Sequence, residues 1–400
     1  MKEPSVPRIP VHPGLGNVRR SPSAPKRNID WVLMLATAGL ALVGLVAIYS
    51  ASRPNLELIA ERTRRPVDPY TYTTRQVIFL IIGTVVMATV MSVDYGWIKE
   101  KASALYMGTI LALLAVLIIG TGPPGSGANA WFDLGPFLVQ PSEFAKVTVL
   151  ILVAGYLSEE GSGQLSYARF INGLMLVGIP VGLILLQPDF GTASVLIALA
   201  MGVLLVAGAS IRYILFISIL TVATVGALIG ANVVREYQVE RLTAFVKQNA
   251  DRSDPAYDLV LQVRNSKRAI ATGGVLGKGY LKGPITNRRF IPIQWTDFVF
   301  SAIAEQFGLV GTIVLLMLYF LVLFRMWRIA RLARDDVGLY ICAGAMTMII
   351  WHVFENMGMT MGIMPVTGIP LPLISYGGSS AIAFLAMIGL VQNVHMRRMR

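Results

Sequence analysis

Apolar residues in this chain come in long unbroken runs, separated by short polar segments or by clusters of Gly and Pro. Strict alternation of apolar and polar positions is rare, so half-buried strands are not expected. A hydrocarbon core about 30 Å thick needs a run of about 20 apolar residues per helix. The runs predict ten membrane helices, near 30–50, 75–94, 103–121, 143–157, 170–186, 191–208, 212–233, 298–325, 338–359 and 379–395. The runs at 143–157 and 191–208 are short, and their helices are expected to begin inside the membrane. The fold class is therefore an all-α polytopic membrane protein, with a membrane domain over 29–396 and a large extracytoplasmic loop over 234–297, between helices seven and eight.

Composition agrees. The chain is 55% hydrophobic and 14% charged, whereas a soluble domain carries about 25% charged residues. A net charge of +12 raises nucleic acid as a partner, but no basic stripe with interleaved aromatics forms a base-stacking platform. The basic residues instead flank apolar runs. Lys2, Arg8, Arg19, Arg20, Lys26 and Arg27 lie in a Pro- and Ser-rich segment over 1–28, read as a disordered tail. That segment is not a cleavable signal, because the apolar run after it is long and lacks a small-residue cleavage pattern. Lys99 and Lys101, then Arg325, Arg328, Arg331 and Arg334, then Arg397, Arg398 and Arg400, fall on the same side if there are ten spans. Positive charge marks the cytoplasmic side, so both termini, including the short tail 397–400, are expected inside. A lone cysteine, Cys342, excludes an intrachain disulfide and a Cys-based zinc site, and three histidines argue against a His-rich metal centre. Loop 234–297 carries many basic residues, Arg241, Lys278 and Lys282 among them. Loops of that length are usually functional; contact with anionic headgroups is the alternative.

Several polar segments carry candidate chemistry. Residues 127–135 (Gly-Ala-Asn-Ala-Trp-Phe-Asp-Leu-Gly) lead into 140–146 (Gln-Pro-Ser-Glu-Phe-Ala-Lys). Pro141 suits a first helical turn with Gln140 or Ser142 as cap. Glu143 and Lys146 share a helix face, as a local ion pair or as site residues, and Trp131 alone would be an interfacial belt residue. Gln187, Pro188 and Asp189 separate two apolar runs, where Asp189 either caps the next helix or meets a ligand. The glycines of 273–279 with Lys278 resemble a phosphate-cradling loop but lack the P-loop order, and glycines also simply make turns. Thr296 and Asp297 open helix eight, ahead of Glu305. Burial there raises a carboxyl toward a usable base while the helix N-terminus lowers it, and either residue also suits a cap. His352, Glu355 and Asn356 share one helix face and suit interhelical hydrogen bonds. Residues 356–380 hold three prolines and five glycines, too many for a regular helix. Such backbone at membrane depth must line a cavity or re-enter the protein.

Taken together, segments 140–146, 187–192, 273–279, 296–300 and 356–380 resemble, in order and spacing, the SEDS (shape, elongation, division and sporulation) family. The similarity covers about 30–395, and residues 364–372 resemble the elongation members more than the division members. The resemblance implies a ten-helix fold in the bacterial cytoplasmic membrane and polymerisation of lipid II into β-1,4-linked glycan strands. It implies as partners lipid II, a polyprenyl-pyrophosphate-linked glycan and a class B penicillin-binding protein. Asp297 takes the position of the family's essential acid. Trp131, Lys146, Gln187 and Asp189 match further motif positions, and Ser266, Lys278, Thr296, Glu305, Ser375, Tyr376 and Ser379 are expected to bind substrate. Ala130 stands where the family usually has Arg, Asn265 for Gln, Ile293 and Trp295 for Glu and His, and Gln306 for Glu.

The mechanism expected on this basis uses Asp297 as general base on the acceptor hydroxyl, with inversion at the donor carbon. The pyrophosphate leaving group would meet Lys278, Lys146 or a divalent cation (Mg or Mn). A lipid II flippase, a non-catalytic scaffold for the crosslinking enzyme, and a division role within the family are the alternatives. An inverted repeat of the transporter kind is not visible.

Overall fold

The computed structural model describes residues 28–122, 129–135, 137–160, 165–230, 236–247 and 253–399. The basic tail, apart from Asn28, lies outside the described residues, as do Gly127, Ala128 and Arg400. All ten predicted apolar runs fall on helices: α1 (Trp31–Thr63), α2 (Thr71–Ser92), α4 (Ala102–Ile119), α5 (Pro141–Leu157), α6 (Tyr167–Leu186), α7 (Phe190–Val206), α8 (Ile211–Gly230), α12 (Val299–Arg331), α13 (Asp336–Thr360) and α14 (Gly378–Met396). A short helix, α3 (Tyr95–Glu100), precedes α4. Among the described residues, seven helices (α1, α2, α4, α6, α12, α13 and α14) are long and apolar enough to cross a membrane. α5 and α7 are 17 residues long, and α5 buries Glu143 and Lys146. The chain is a multi-pass membrane protein.

Polar side chains set the helix starts. Asp30, Asp189 and Asp335 accept the backbone N–H groups of Leu33, Thr192 and Gly338, satisfying donors that a helix start leaves open. Asp30 also pairs with Arg325, whose Nε lies 2.9 Å from Oδ2, tying the start of α1 to the far end of α12. α14 runs against α2 and is buried along almost its whole length. The outer helices present apolar side chains such as Ile81, Leu111, Phe216 and Phe320 to the surroundings, as lipid-facing surfaces do.

The segment read as a long loop is largely helical. It holds α9 (Glu236–Val246), α10 (Tyr257–Gly273) and α11 (Pro284–Asn287). Its abundant charge hid the apolar positions Val260, Val263 and Ala269 of α10, which are buried. α9 docks on α10 through Ala244 against Ala256 and Val260. One two-stranded hairpin departs from the all-α expectation: β1 (Phe132–Asp133) pairs antiparallel with β2 (Leu138–Val139), with Phe132 opposite Val139.

α12 is broken at Gly308, whose φ of +65° is outside the helical region. The 273–279 loop fills the break. Lys278 N and Gly279 N donate to the carbonyls of Glu305 and Gln306, while Leu309 N and Val310 N donate to the carbonyls of Gly274 and Val275. Four backbone groups beside the break thus find partners in the loop, as membrane depth demands. A Cβ on Gly277 would stand 2.1 Å from the Gln306 carbonyl oxygen, so only glycine fits there. This glycine run therefore serves backbone packing.

Candidate functional site

A cavity of about 910 Å³ opens where the 131–140 hairpin, the first turn of α2, residues 293–297 and the 368–380 segment meet. That volume suits a small-molecule site. Its wall carries a run of rings. Tyr72 lies 4.9 Å from Trp295 and 5.2 Å from Tyr376, and Phe79 lies 5.4 Å from Phe137, centroid to centroid. The Tyr376 N–H donates to the Trp295 carbonyl at 2.9 Å, locking two lining segments together. Arg75 lines the same cavity and contacts Tyr376.

Asp297 projects into this space. The N-cap position of α12 is Phe298, without a side-chain cap bond, and Thr296 Oγ1 turns back to the Ile293 carbonyl at 2.9 Å. Neither residue spends its side chain on capping. Asn356 Nδ2 fixes the backbone by donating to the carbonyls of Asp297 (2.9 Å) and Ile369 (2.8 Å). Burial pushes the Asp297 carboxyl above the ordinary carboxylate range; the Arg241 guanidinium and a hydrogen bond from Thr296 pull it down, and the Asp189 charge adds to the rise. The net direction, open in the sequence, is upward.

Of the sequence candidates, Trp131, Thr296, Asp297, Tyr376 and Ser379 line the cavity. Ser379 Oγ also accepts the Gln140 N–H at 2.9 Å. The others stand elsewhere. Asp189 caps α7 and accepts Gln140 Nε2 at 3.2 Å, so it touches the site through a lining residue. Gln140 thus occupies the cap position of α5 but sends its side chain to Asp189. Lys146 is buried beneath the cavity, 2.7 Å from Glu143 and 3.3 Å from His352 Nε2; Glu143, not Lys146, reaches the lining. His352 in turn contacts the carbonyl of lining Pro370 at 3.0 Å. Gln187 donates to Leu113 O, and Ser266, fully buried, donates to Thr360 O. Ser375 accepts Leu371 N–H. The Glu305 carboxylate accepts Ile285 N, Thr286 N and Thr286 Oγ1 at 2.6–2.9 Å and so caps α11. Lys278 has an exposed side chain that does not line the cavity.

Tyr72, Arg75 and Gln76 escaped the sequence reading because they sit in the first turns of an apolar run. Gln76, fully buried, accepts the Gly377 N–H at 3.1 Å. A polar trio at the mouth of a membrane helix was the available signal. Among the described residues no group of three or more His, Cys, Asp or Glu side chains is arranged to hold a metal ion. The charge beside the Asp297 carboxyl is a guanidinium. The described residues thus do not form a protein-built cage for a divalent cation.

Comparison with known proteins places this geometry. Residues 30–400 match the model of the FtsW/RodA/SpoVE cell cycle protein family. The chain is 33% identical to the peptidoglycan glycosyltransferase MrdB of Escherichia coli, covering 93% of this chain and 95% of that one. It is 31% identical to stage V sporulation protein E of Bacillus subtilis, covering 92% and 97%. Among solved structures it resembles a chain of a peptidoglycan synthase complex described as coordinating polymerization and crosslinking, at 31% identity and a TM-score of 0.75 over 93% of this chain and 99% of that one. It also resembles the rod shape determining protein RodA of Thermus thermophilus, at 30% identity and a TM-score of 0.67 over 93% and 98%. The family model spans nearly all of the sequence, and this chain belongs to the FtsW/RodA/SpoVE family, the SEDS proteins.

Proposed function

We propose that the chain is a peptidoglycan glycosyltransferase that polymerises lipid II at the outer face of the bacterial cytoplasmic membrane, with Asp297 as general base. The observation that carries this reading is a carboxyl without a capping role, raised by burial, at the wall of an aromatic-lined cavity. A general base works best when its proton affinity sits near the operating pH. Aromatic faces and scattered polar groups suit a sugar ring.

In this mechanism Asp297 takes the proton of the acceptor 4-hydroxyl. The oxygen forms a bond to the donor anomeric carbon from the face opposite the pyrophosphate. The bond to the polyprenyl pyrophosphate breaks with its electron pair, and configuration inverts to the β-1,4 linkage. Arg75, on the same cavity wall, is placed to meet the departing negative charge. Lys146 pairs with Glu143 and Lys278 lies off the cavity, so this reading gives the role to Arg75. No step runs through a metal ion. Lipid anchors hold both reactants in one plane, which lowers the entropic cost of their meeting.

The reading includes ten spans with both termini cytoplasmic. It also includes a crosslinking partner of the class B penicillin-binding type, supported by the resemblance to the synthase complex, and an elongation role, supported by residues 364–372. Purified protein, with and without such a partner, is incubated with lipid II and the products are sized. Glycan strands uphold the proposal. Lipid II translocation across vesicles without strand formation overturns it in favour of a flippase.

A further inference from the structure

Arg241 belongs to α9, far along the chain from every segment named so far at the site. It is partly buried, and its Nη1 donates to the Thr367 carbonyl at 2.7 Å. The next residue, Gly368, has φ of +78° and lines the cavity. A Cβ built on Gly368 would stand 3.4 Å from Arg241 Nη1, 3.6 Å from Arg241 Nη2 and 3.4 Å from Asp297 Oδ2. Guanidinium and carboxyl therefore converge on one point, over a glycine that leaves the space between them open. The docking of Ala244 on α10 fixes the helix that delivers the arginine.

We propose that Arg241 is a positioning residue of the active site, whose permanent positive charge beside Asp297 keeps that carboxyl ionised and ready to accept the substrate proton. The proposal rests on the general-base reading of Asp297. The need for such a residue is physical. A carboxyl moved out of water prefers its neutral form, and a neutral acid takes no proton; an opposite charge at close range restores the anion. Guanidinium is suited to this because it stays charged at every working pH. The other charged groups facing Asp297 are Asp189 on α7, which opposes ionisation, and Arg75, Asp133 and Glu143 around the cavity. Of these, Glu143 is matched by Lys146. Arg241 is the one that both shares the Gly368 contact point with the Asp297 carboxyl and favours its anion. The basic character of the 234–297 segment thus has a use at the site, supplied by an arginine rather than by Lys278.

A purely structural role, tying α9 to Thr367, is the competing account, and pH separates the two. The test measures kcat/KM for lipid II polymerisation against pH with full-length wild type, Arg241→Gln, Arg241→Lys and Asp297→Asn. Loss of an opposite charge at this range moves the acid limb upward by about 1–3 pH units. Arg241→Gln should lose roughly 10- to 1000-fold on the acid side and converge on wild type as pH rises. Arg241→Lys should keep the limb near its wild-type position. A second measurement follows carbodiimide modification of Asp297 by mass spectrometry across pH, which needs no turnover; its midpoint should rise in Arg241→Gln. An unmoved limb and midpoint, or a uniform loss at every pH, overturns the proposal. So does a limb in Arg241→Lys that coincides with that of Arg241→Gln. If Asp297→Asn is inactive and these results are negative, only the role of Arg241 falls. If Asp297→Asn polymerises at the wild-type rate, the general-base reading falls with it.

Discussion

Asp189 and Asp297 both stand just before a membrane helix, and the structure gives them different work. Asp189 spends both carboxylate oxygens on Thr192 and Gln140. Asp189→Ala should therefore cost about 1 kcal/mol of stability, read as a lower unfolding temperature in detergent, with activity reduced through the loosened Gln140. Asp297 makes no cap bond, so its substitution should change rate and leave stability close to wild type. The sequence made both residues legible as polar interruptions at helix starts, but capping and catalysis share that signature. Only the placement of Phe298 at the cap of α12 separates them. Three positions where the chain departs from its family also find local reasons. Trp295 packs against the Tyr72 ring and Ile293 lines the cavity, while Gln306 Oε1 accepts Ser50 Oγ and Leu281 N. Lys278 was credible as a phosphate ligand because glycines surround it, yet its exposed side chain is not part of the cavity lining. Lys278→Gln should leave polymerisation at the wild-type rate and shift stability by less than about 0.5 kcal/mol. A large loss of rate at unchanged stability would return Lys278 to the site.

Among the elements, α12 shows how far hydropathy reaches. The apolar run from 298 predicts one helix, and a single helix in lipid is the cheapest way to satisfy its backbone. Hydropathy carries no record of Gly308 turning to positive φ, nor of the 273–279 loop supplying the missing hydrogen bonds. Gly308→Ala imposes a left-handed conformation on a residue with a Cβ, which would also stand 2.3 Å from Gly277 N. A loss of at least about 1–3 kcal/mol is expected, visible as a lower unfolding temperature with loss of activity because the break orients Glu305 and the start of α12. Glu305→Ala strips partners from Ile285 N and buried Thr286. Each donor left buried and unpaired costs about 1–3 kcal/mol, so proteolysis within 281–290 should quicken. An unchanged cleavage pattern would show that α11 does not depend on Glu305. α10 was missed for a different reason: its buried Val260, Val263 and Ala269 are interleaved with Arg264, Lys267 and Arg268, and net charge obscured them.

Across the whole molecule, the placement of helices was legible because lipid imposes one solution on long apolar runs. What hydropathy did not reveal is the centre. α14 is less hydropathic than most of the other spans, yet it is the most buried of them, since its small and polar residues meet other helices rather than lipid. The convergence of α2, the hairpin, residues 293–297 and segment 368–380 on one cavity was equally hidden, because no local pattern encodes contacts between segments far apart in sequence. The topology can be probed with cysteine chemistry. Cys342 is buried, so a membrane-impermeant maleimide has little native background. Asn28→Cys and Met399→Cys should both react in inside-out vesicles and stay silent in right-side-out ones; opposite labelling of the two would exclude an even number of spans.

The central claim is that the partly buried carboxyl of Asp297 performs the proton transfer. The most direct test is the initial rate of lipid II polymerisation by wild type and Asp297→Asn across pH, with folding checked by thermal unfolding. The account predicts a wild-type rate that falls as pH drops through a value above the ordinary carboxylate range, in line with the upward shift of Asp297. It predicts a folded variant slower by roughly 100- to 10,000-fold and without that acid limb. A variant that polymerises at the wild-type rate, or retains the same limb, would contradict the assignment of Asp297 as the base.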